Sequence, residues 1–200
     1  MMNFVYLASQ SPRRRQLLEQ LGVSYELLLP ESSEEAEALE LVLKNEAPTA
    51  YVKRVTRLKL DAALAQLNQR KLPPAPVLCS DTTVALGRTI YGKPEDAKDA
   101  ERMLHALSGE THRVLTAIAV QYGQQRLHAL SASQVRFETM TPAQISSYVA
   151  TGEPMGKAGA YAIQGRVAMH ITRISGSYSG IMGLPLWETA VLLRTAGLDF

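Results

Sequence analysis

Several residues in this 200-residue chain have the chemistry of an anion site. In Tyr6-Leu-Ala-Ser-Gln-Ser-Pro-Arg-Arg-Arg-Gln-Leu-Leu-Glu-Gln-Leu-Gly22 a short apolar strand passes through a two-serine turn into a helix that starts near Pro12. Ser11 is placed to cap that helix, and proline suits its first turn. Free backbone N–H groups beside Arg13, Arg14 and Arg15 would attract an anion, phosphate foremost. Solvated arginines on a capped helix give the same pattern, although cations there oppose the helix dipole. Asp81 follows the apolar run Pro76-Val-Leu-Cys and precedes Thr82 and Thr83. A carboxylate at a strand end suits a cleft in an α/β sheet; a turn residue bonding its own backbone fits as well. Thr82 is either a hydroxyl donor to a ligand or a plain β-branched strand residue. Lys93 has its backbone fixed between Gly92 and Pro94, yet most lone lysines in turns are solvated.

Other segments are weaker. Glu31 and Glu34 begin an acidic run that could offer a metal ligand or form a solvated face. Lys59, on a long helix, faces solvent unless that helix borders a site. In Lys157-Ala-Gly-Ala-Tyr-Ala-Ile-Gln-Gly165 the glycines allow close backbone approach, and Gln164 carries a donor and an acceptor able to read a base edge. A packed loop with Tyr161 and Ile163 in the core is the plainer reading. Gly176-Ser-Tyr-Ser-Gly180 and Gly183-Leu-Pro185 form a second glycine-rich loop leading into a helix.

Composition excludes more than it identifies. Hydrophobic residues make up 46% and charged residues 20%, enough for an ordinary packed core. A net charge of +2 and 6% aromatics argue against a nucleic-acid surface, so any positive site is local. The four histidines, His105, His112, His128 and His170, lack zinc-site spacing. Cys79 is the single cysteine; it excludes an internal disulfide, fits a reducing cytosol, and reads as a small buried apolar residue. No stretch approaches the ~20 apolar residues of a membrane span, and no signal peptide is visible at the N-terminus. There is no GxGxxG, no Walker A loop and no GxSxG elbow.

The elements that must position these residues alternate between strand and helix. Strands are expected at 3–8 and 24–29, and helices at 12–21 and 48–69, the latter with an apolar stripe of Val52, Val55, Leu58, Ala62 and Leu67. Residues 30–47 read as an acidic mobile loop with a helical turn inside. Residues 77–86 read as a strand pair or a strand with its turn. A helix at 95–107 ends at Ser108-Gly109. Strands at 112–122 and 125–137 form a hairpin at Gly123. Thr141 caps a helix from 142 to 150. A loop at 152–165, a strand at 167–174, a glycine-rich loop at 176–185 and a helix at 186–196 complete the chain. The expected fold is a mixed α/β sheet flanked by helices.

Taken together, the motifs resemble those of the Maf family of nucleoside triphosphate pyrophosphatases. They are Leu7-Ala-Ser-Gln-Ser-Pro-Arg-Arg14, Ser80-Asp-Thr82, Gly92-Lys-Pro-Glu-Asp-Ala97, Leu107-Ser-Gly109, the 157–165 segment, and Gly176-Ser-Tyr with Gly183-Leu-Pro185. They occur in the family's order and span nearly the whole chain as a single Maf-like domain. The resemblance implies a long mixed sheet in two lobes about a central cleft, as in inosine-triphosphate pyrophosphatases, although no lobe boundary is readable. It implies a cytoplasmic, metal-dependent enzyme, using Mg²⁺ or Mn²⁺, that splits a nucleoside triphosphate into monophosphate and pyrophosphate. A homodimer is implied, and neither a nucleic-acid nor a membrane partner. Asp81 would be the catalytic carboxylate and, with Glu34, a metal ligand. Ser9, Arg14, Lys59 and Lys93 would bind phosphates. Arg13, Thr82 and Gln164 match the branch acting on dTTP and UTP, whereas the 7-methyl-GTP branch carries an aromatic, Gln and Glu there. A non-catalytic nucleotide-binding regulator of cell division is the alternative from another class. The acidic loop departs from the family pattern: Ser33 stands where a second acid is common, which leaves Glu31, Glu34 and Glu35 all open as the metal ligand.

Overall fold

The computed structural model describes residues 4–30 and 38–200. Its strands form one seven-stranded mixed sheet in the order β2-β1-β3-β5-β6-β7, with β4 paired to β3. β1 (Val5–Leu7) lies parallel to β2 (Tyr25–Leu27) and to β3 (Val77–Leu86). The remaining pairs are antiparallel: β3 with β4 (Thr89–Tyr91) and β5 (Thr111–Tyr122), and β6 (Gln125–Phe137) with β5 and β7 (Ile171–Ser175). The expected mixed sheet flanked by helices is what forms. The β5–β6 hairpin turns at Gly123, whose φ of +54° falls in the region glycine adopts without steric cost.

β3 is buried on both faces, so its sequence shows no apolar–polar alternation. The alternation exists in the packing instead. Val77 and Cys79 join a core with α2 (Pro48–Gln69), while Leu78 joins the opposite core with α1 (Pro12–Gln20) and α6 (Leu186–Thr195). A third cluster, on Val84, Val114 and Phe137, packs α3 (Ala97–Leu107) and α4 (Pro142–Val149) at the end of the sheet.

Several local expectations change. Ser11 makes no side-chain cap on α1; its own N–H is held at 3.2 Å by Ser9 Oγ. α2 is rotated from the expected stripe. Tyr51, Val52, Val55, Thr56, Leu60, Ala63 and Leu67 are buried, Leu58 is half-buried and Ala62 exposed. Thr56 can face inward because its hydroxyl bonds Val52 O at 2.8 Å within the helix. Thr141 does cap α4, in a reciprocal box with Gln144. Residues 77–86 are one strand, Arg166–His170 is a 3₁₀ turn before β7, and the loop after it contains the short helix α5 (Tyr178–Met182).

Candidate active site

β1 ends at Leu7, opposite Leu78, and β4 begins pairing only at Val84. Between them, residues 79–83 of β3 have β5 on one side and, among the described residues, no strand on the other. A cleft of about 840 Å³ occupies this gap. Because the gap opens through the sheet, neighbouring β3 residues with side chains on opposite faces line the same cavity. Asp81 points toward α2, and Ser80 and Thr82 point toward α1 and α5. The cleft is lined by Ser9, Arg13, Arg14, Lys59, Asp81, Thr82, Lys93 and Gln164, eight of the nine residues singled out from sequence. The ninth, Glu34, lies outside the described residues, as do Glu31 and Glu35.

The α2 side is a chain of alternating charges. Lys59 Nζ donates to Asp81 Oδ1 and to Glu40 Oε1, both at 2.6 Å. Lys93 Nζ donates to Glu40 Oε2 at 2.8 Å. Lys59 therefore does not face solvent, the expectation for a lysine on a helix not known to border a site. Burial raises the Asp81 carboxyl above the ordinary carboxylate range against the opposing pull of Lys59 and Arg14. Burial pulls Lys59 down, but Asp81 and Glu40 outweigh it and hold the ammonium above its usual value. Burial likewise raises Glu40, and the two lysines reverse this to leave it below the usual range.

Glu40 was not among the residues marked in sequence. Its position comes from two braces on α2: Tyr51 Oη donates to Glu40 O at 2.9 Å, and Arg54 donates to Leu41 O at 2.8 Å while forming two bonds to Glu46. The available signal is faint: Glu40 is the glutamate of the acidic run set between two leucines.

The α1 side is different. Arg14 donates to Gly183 O at 2.8 Å, Ser9 Oγ at 3.0 Å and Thr82 Oγ1 at 3.5 Å. Thr82 Oγ1 shares a hydrogen bond with Thr116, which donates to Gly180 O. Arg13 Nε donates to Met182 O at 3.4 Å. Lys157, also in the cleft, donates to the Glu153 and Met155 carbonyls. All of these acceptors are neutral, and among the described residues none of these three cations pairs with a carboxylate. Burial lowers the pKa of Arg13, Arg14 and Lys157, and Arg13 adds its repulsion to Lys157. Among the described residues, partly buried positive charge thus rests on neutral acceptors, with Asp81 and Glu153 acting on it only through space, which is an arrangement for an anion.

The segment carrying Gln164 closes one end. Gly159, at φ +70°, lies so near β3 that a Cβ would come within 2.8 Å of the Val84 side chain. Tyr161 is buried and its hydroxyl shares a 2.8 Å hydrogen bond with His112 Nε2, while Gln164 remains exposed at the cleft. Tyr161 and Ile163 pack, as the plainer reading of this loop expects, while Gln164 lines the cavity.

The described residues contain no group of three or more histidine, cysteine, aspartate or glutamate side chains able to hold a metal. Asp81 and Glu40 nevertheless place two carboxylates on a single ammonium. That set suits Mg²⁺, which usually takes one or two protein carboxylates and completes its shell with water and substrate phosphate.

Comparison with known proteins identifies relatives over the whole chain. The Maf-like protein family profile matches residues 4–196. The chain is 71% identical over 196 residues to a dTTP/UTP pyrophosphatase of Polaromonas sp. (strain JS666 / ATCC BAA-500), covering 98% of this chain and 97% of that protein. It is 66% identical to a dTTP/UTP pyrophosphatase of Albidiferax ferrireducens, with 98% of both chains covered. A third, from Cupriavidus metallidurans, is 61% identical over the full length of both. Among solved structures, the Staphylococcus aureus Ham1 protein aligns at a TM-score of 0.37 and 11% identity, covering 66% of this chain and 71% of that one; so distant a likeness adds nothing to the argument. Full-length identity and the profile match agree: this chain belongs to the Maf family.

Proposed function

We propose that this protein hydrolyses dTTP and UTP to the nucleoside monophosphate and pyrophosphate with a divalent cation, Mg²⁺ or Mn²⁺. The observation that carries the reading is the cleft: cations that among the described residues rest on neutral acceptors on one side, a buried carboxylate on the other, in a chain whose full-length relatives are named dTTP/UTP pyrophosphatases. Arg13, Arg14 and Lys157 hold the phosphates through charge-assisted bonds, with Ser9 orienting Arg14. Asp81 takes the proton from the water that attacks the α-phosphorus, and its raised pKa makes it a better base than an exposed aspartate. Lys59 and Lys93 offset charge as the α–β bridging bond breaks and pyrophosphate leaves. The cation would be held by Asp81 and Glu40, and when bound it neutralises phosphate charge. Glu34, expected to help hold the cation, lies outside the described residues and keeps that expected role beside Glu40. The Gln164 amide offers a donor and an acceptor to the imide edge of uracil or thymine.

No helix among the described residues is long and apolar enough to cross a membrane. A cytoplasmic homodimer is part of the same proposal, and light scattering of the purified protein tests its oligomeric half.

The function is tested with purified protein, Mg²⁺ or Mn²⁺ and a panel of nucleoside triphosphates, with pyrophosphate release as the readout. UTP and dTTP should be the preferred substrates, and Gln164→Glu should weaken both. Preference for 7-methyl-GTP, or tight UTP binding without turnover at any metal concentration, overturns the reading.

A further inference from the structure

Glu153 lies beyond the group of residues expected to touch substrate, yet it gathers both ends of the segment that presents Gln164. Its two carboxylate oxygens each accept from Arg166 N at 3.1 Å. Oε1 also accepts from Tyr148 Oη at 2.8 Å. The Glu153 carbonyl takes the Lys157 ammonium. Ala162 and Arg166 are the residues two before and two after Gln164, and Gly165 N closes the turn between them on Ala162 O at 2.9 Å. The Glu153 carboxylate thus pins the backbone just after the side chain that meets the base, and the Glu153 carbonyl holds the lysine that opens the same segment.

Gly165 shows how tightly. Its φ of −95° is open to any residue, so the backbone does not require glycine. A Cβ there would stand 1.9 Å from Glu153 Oε1 and 2.5 Å from its carboxyl carbon. That carboxylate has three bonds to lose if it moves. The glycine is therefore matched to the glutamate.

We infer that Glu153 is a positioning residue for base selection: with Tyr148 and Gly165 it fixes Gln164 against the uracil or thymine edge. The inference rests on the pyrophosphatase reading and adds the source of its selectivity. Glu153 touches no substrate. Its loss therefore blurs the choice among bases and leaves the acid end of the cleft intact.

The test compares UTP with CTP, which share sugar and phosphates and differ at the imide edge. In Glu153→Ala, KM for UTP should rise and the UTP-over-CTP preference in kcat/KM fall about tenfold, with kcat near wild type. Glu153→Gln keeps an oxygen for Arg166 N and should recover much of the preference. Gly165→Ala should resemble Glu153→Ala, and the double variant should be no worse than Gly165→Ala alone, because truncating Glu153 makes room for the new methyl. An unchanged preference in Glu153→Ala, or effects that add in the double variant, overturns the inference. If Glu153→Ala does not fold, Glu153→Gln and Gly165→Ala decide it by the same preference ratio. Wild-type protein that releases pyrophosphate from neither nucleotide rejects the underlying reading instead; calorimetric binding of UTP against CTP in the same variants then decides the positioning role.

Discussion

The two sides of the cleft use the same kinds of side chain to opposite ends. Toward α2, Lys59 and Lys93 are matched by Asp81 and Glu40, so the charges largely cancel. Toward α1, the guanidinium groups of Arg13 and Arg14 rest on carbonyls and hydroxyls, which orient them without neutralising them. An ion-pair network holds its members in place and tunes their proton affinity. Cations on neutral acceptors keep their charge for whatever enters. The first side is suited to moving a proton, the second to holding phosphate, and one strand supplies both through the alternation of Asp81 and Thr82.

If that division is right, variants on the two sides fail in different ways. The largest effect belongs to Asp81→Asn, which should lower kcat by about a thousandfold at an unchanged melting temperature. Without the cation, burial raises the Asp81 pKa, so its ionised form is lost earlier on acidification than an exposed aspartate's would be. The cation concentration giving half-maximal rate should therefore rise as pH falls through a point above the ordinary carboxylate range, because proton and cation compete for one carboxylate. A metal requirement independent of pH would remove Asp81 from the cation site. On the other side, Arg14→Lys keeps the charge but cannot reach Ser9, Thr82 and Gly183 together. KM should rise roughly thirtyfold, the loss of a charge-assisted bond of about 2 kcal/mol, with a smaller change in kcat. A fall in kcat alone would erase the distinction between the sides. The smallest effect is expected for Glu40→Gln, read as the Mg²⁺ concentration giving half-maximal rate, which should rise roughly tenfold. An unchanged metal requirement would confine Glu40 to bracing Lys59 and Lys93.

Residue types were legible in the sequence; their faces were not. The run ending in Asp81 was readable as a strand and Thr82 as its neighbour, but a strand buried on both sides gives no alternating pattern from which to assign them to opposite faces. Lys59 was named by resemblance, but its inward face was obscured by Tyr51 and Thr56. Both face the core while carrying hydroxyls, so a stripe built from aliphatic residues alone was turned away from the true one. Glu40 was masked by the surrounding glutamates, and its selection depends on Tyr51 and Arg54 holding the adjacent carbonyls. The helices and the β5–β6 hairpin were legible because their signals are local: proline at the starts of α1, α2 and α4, the Thr141–Gln144 box, and glycine at the turn.

The Gly183 carbonyl accepts from Arg14 near the beginning of the chain and from Ser80 in its middle. A ribosome must therefore have passed residue 183 before the guanidinium of Arg14 has its backbone acceptor. Nascent fragments can form the early helices, but a phosphate-binding pocket cannot be completed cotranslationally until the last helices emerge. Premature termination before that point would leave Arg14 with Ser9 and Thr82 but without the carbonyl that fixes its Nε, and Arg13 without the Met182 carbonyl.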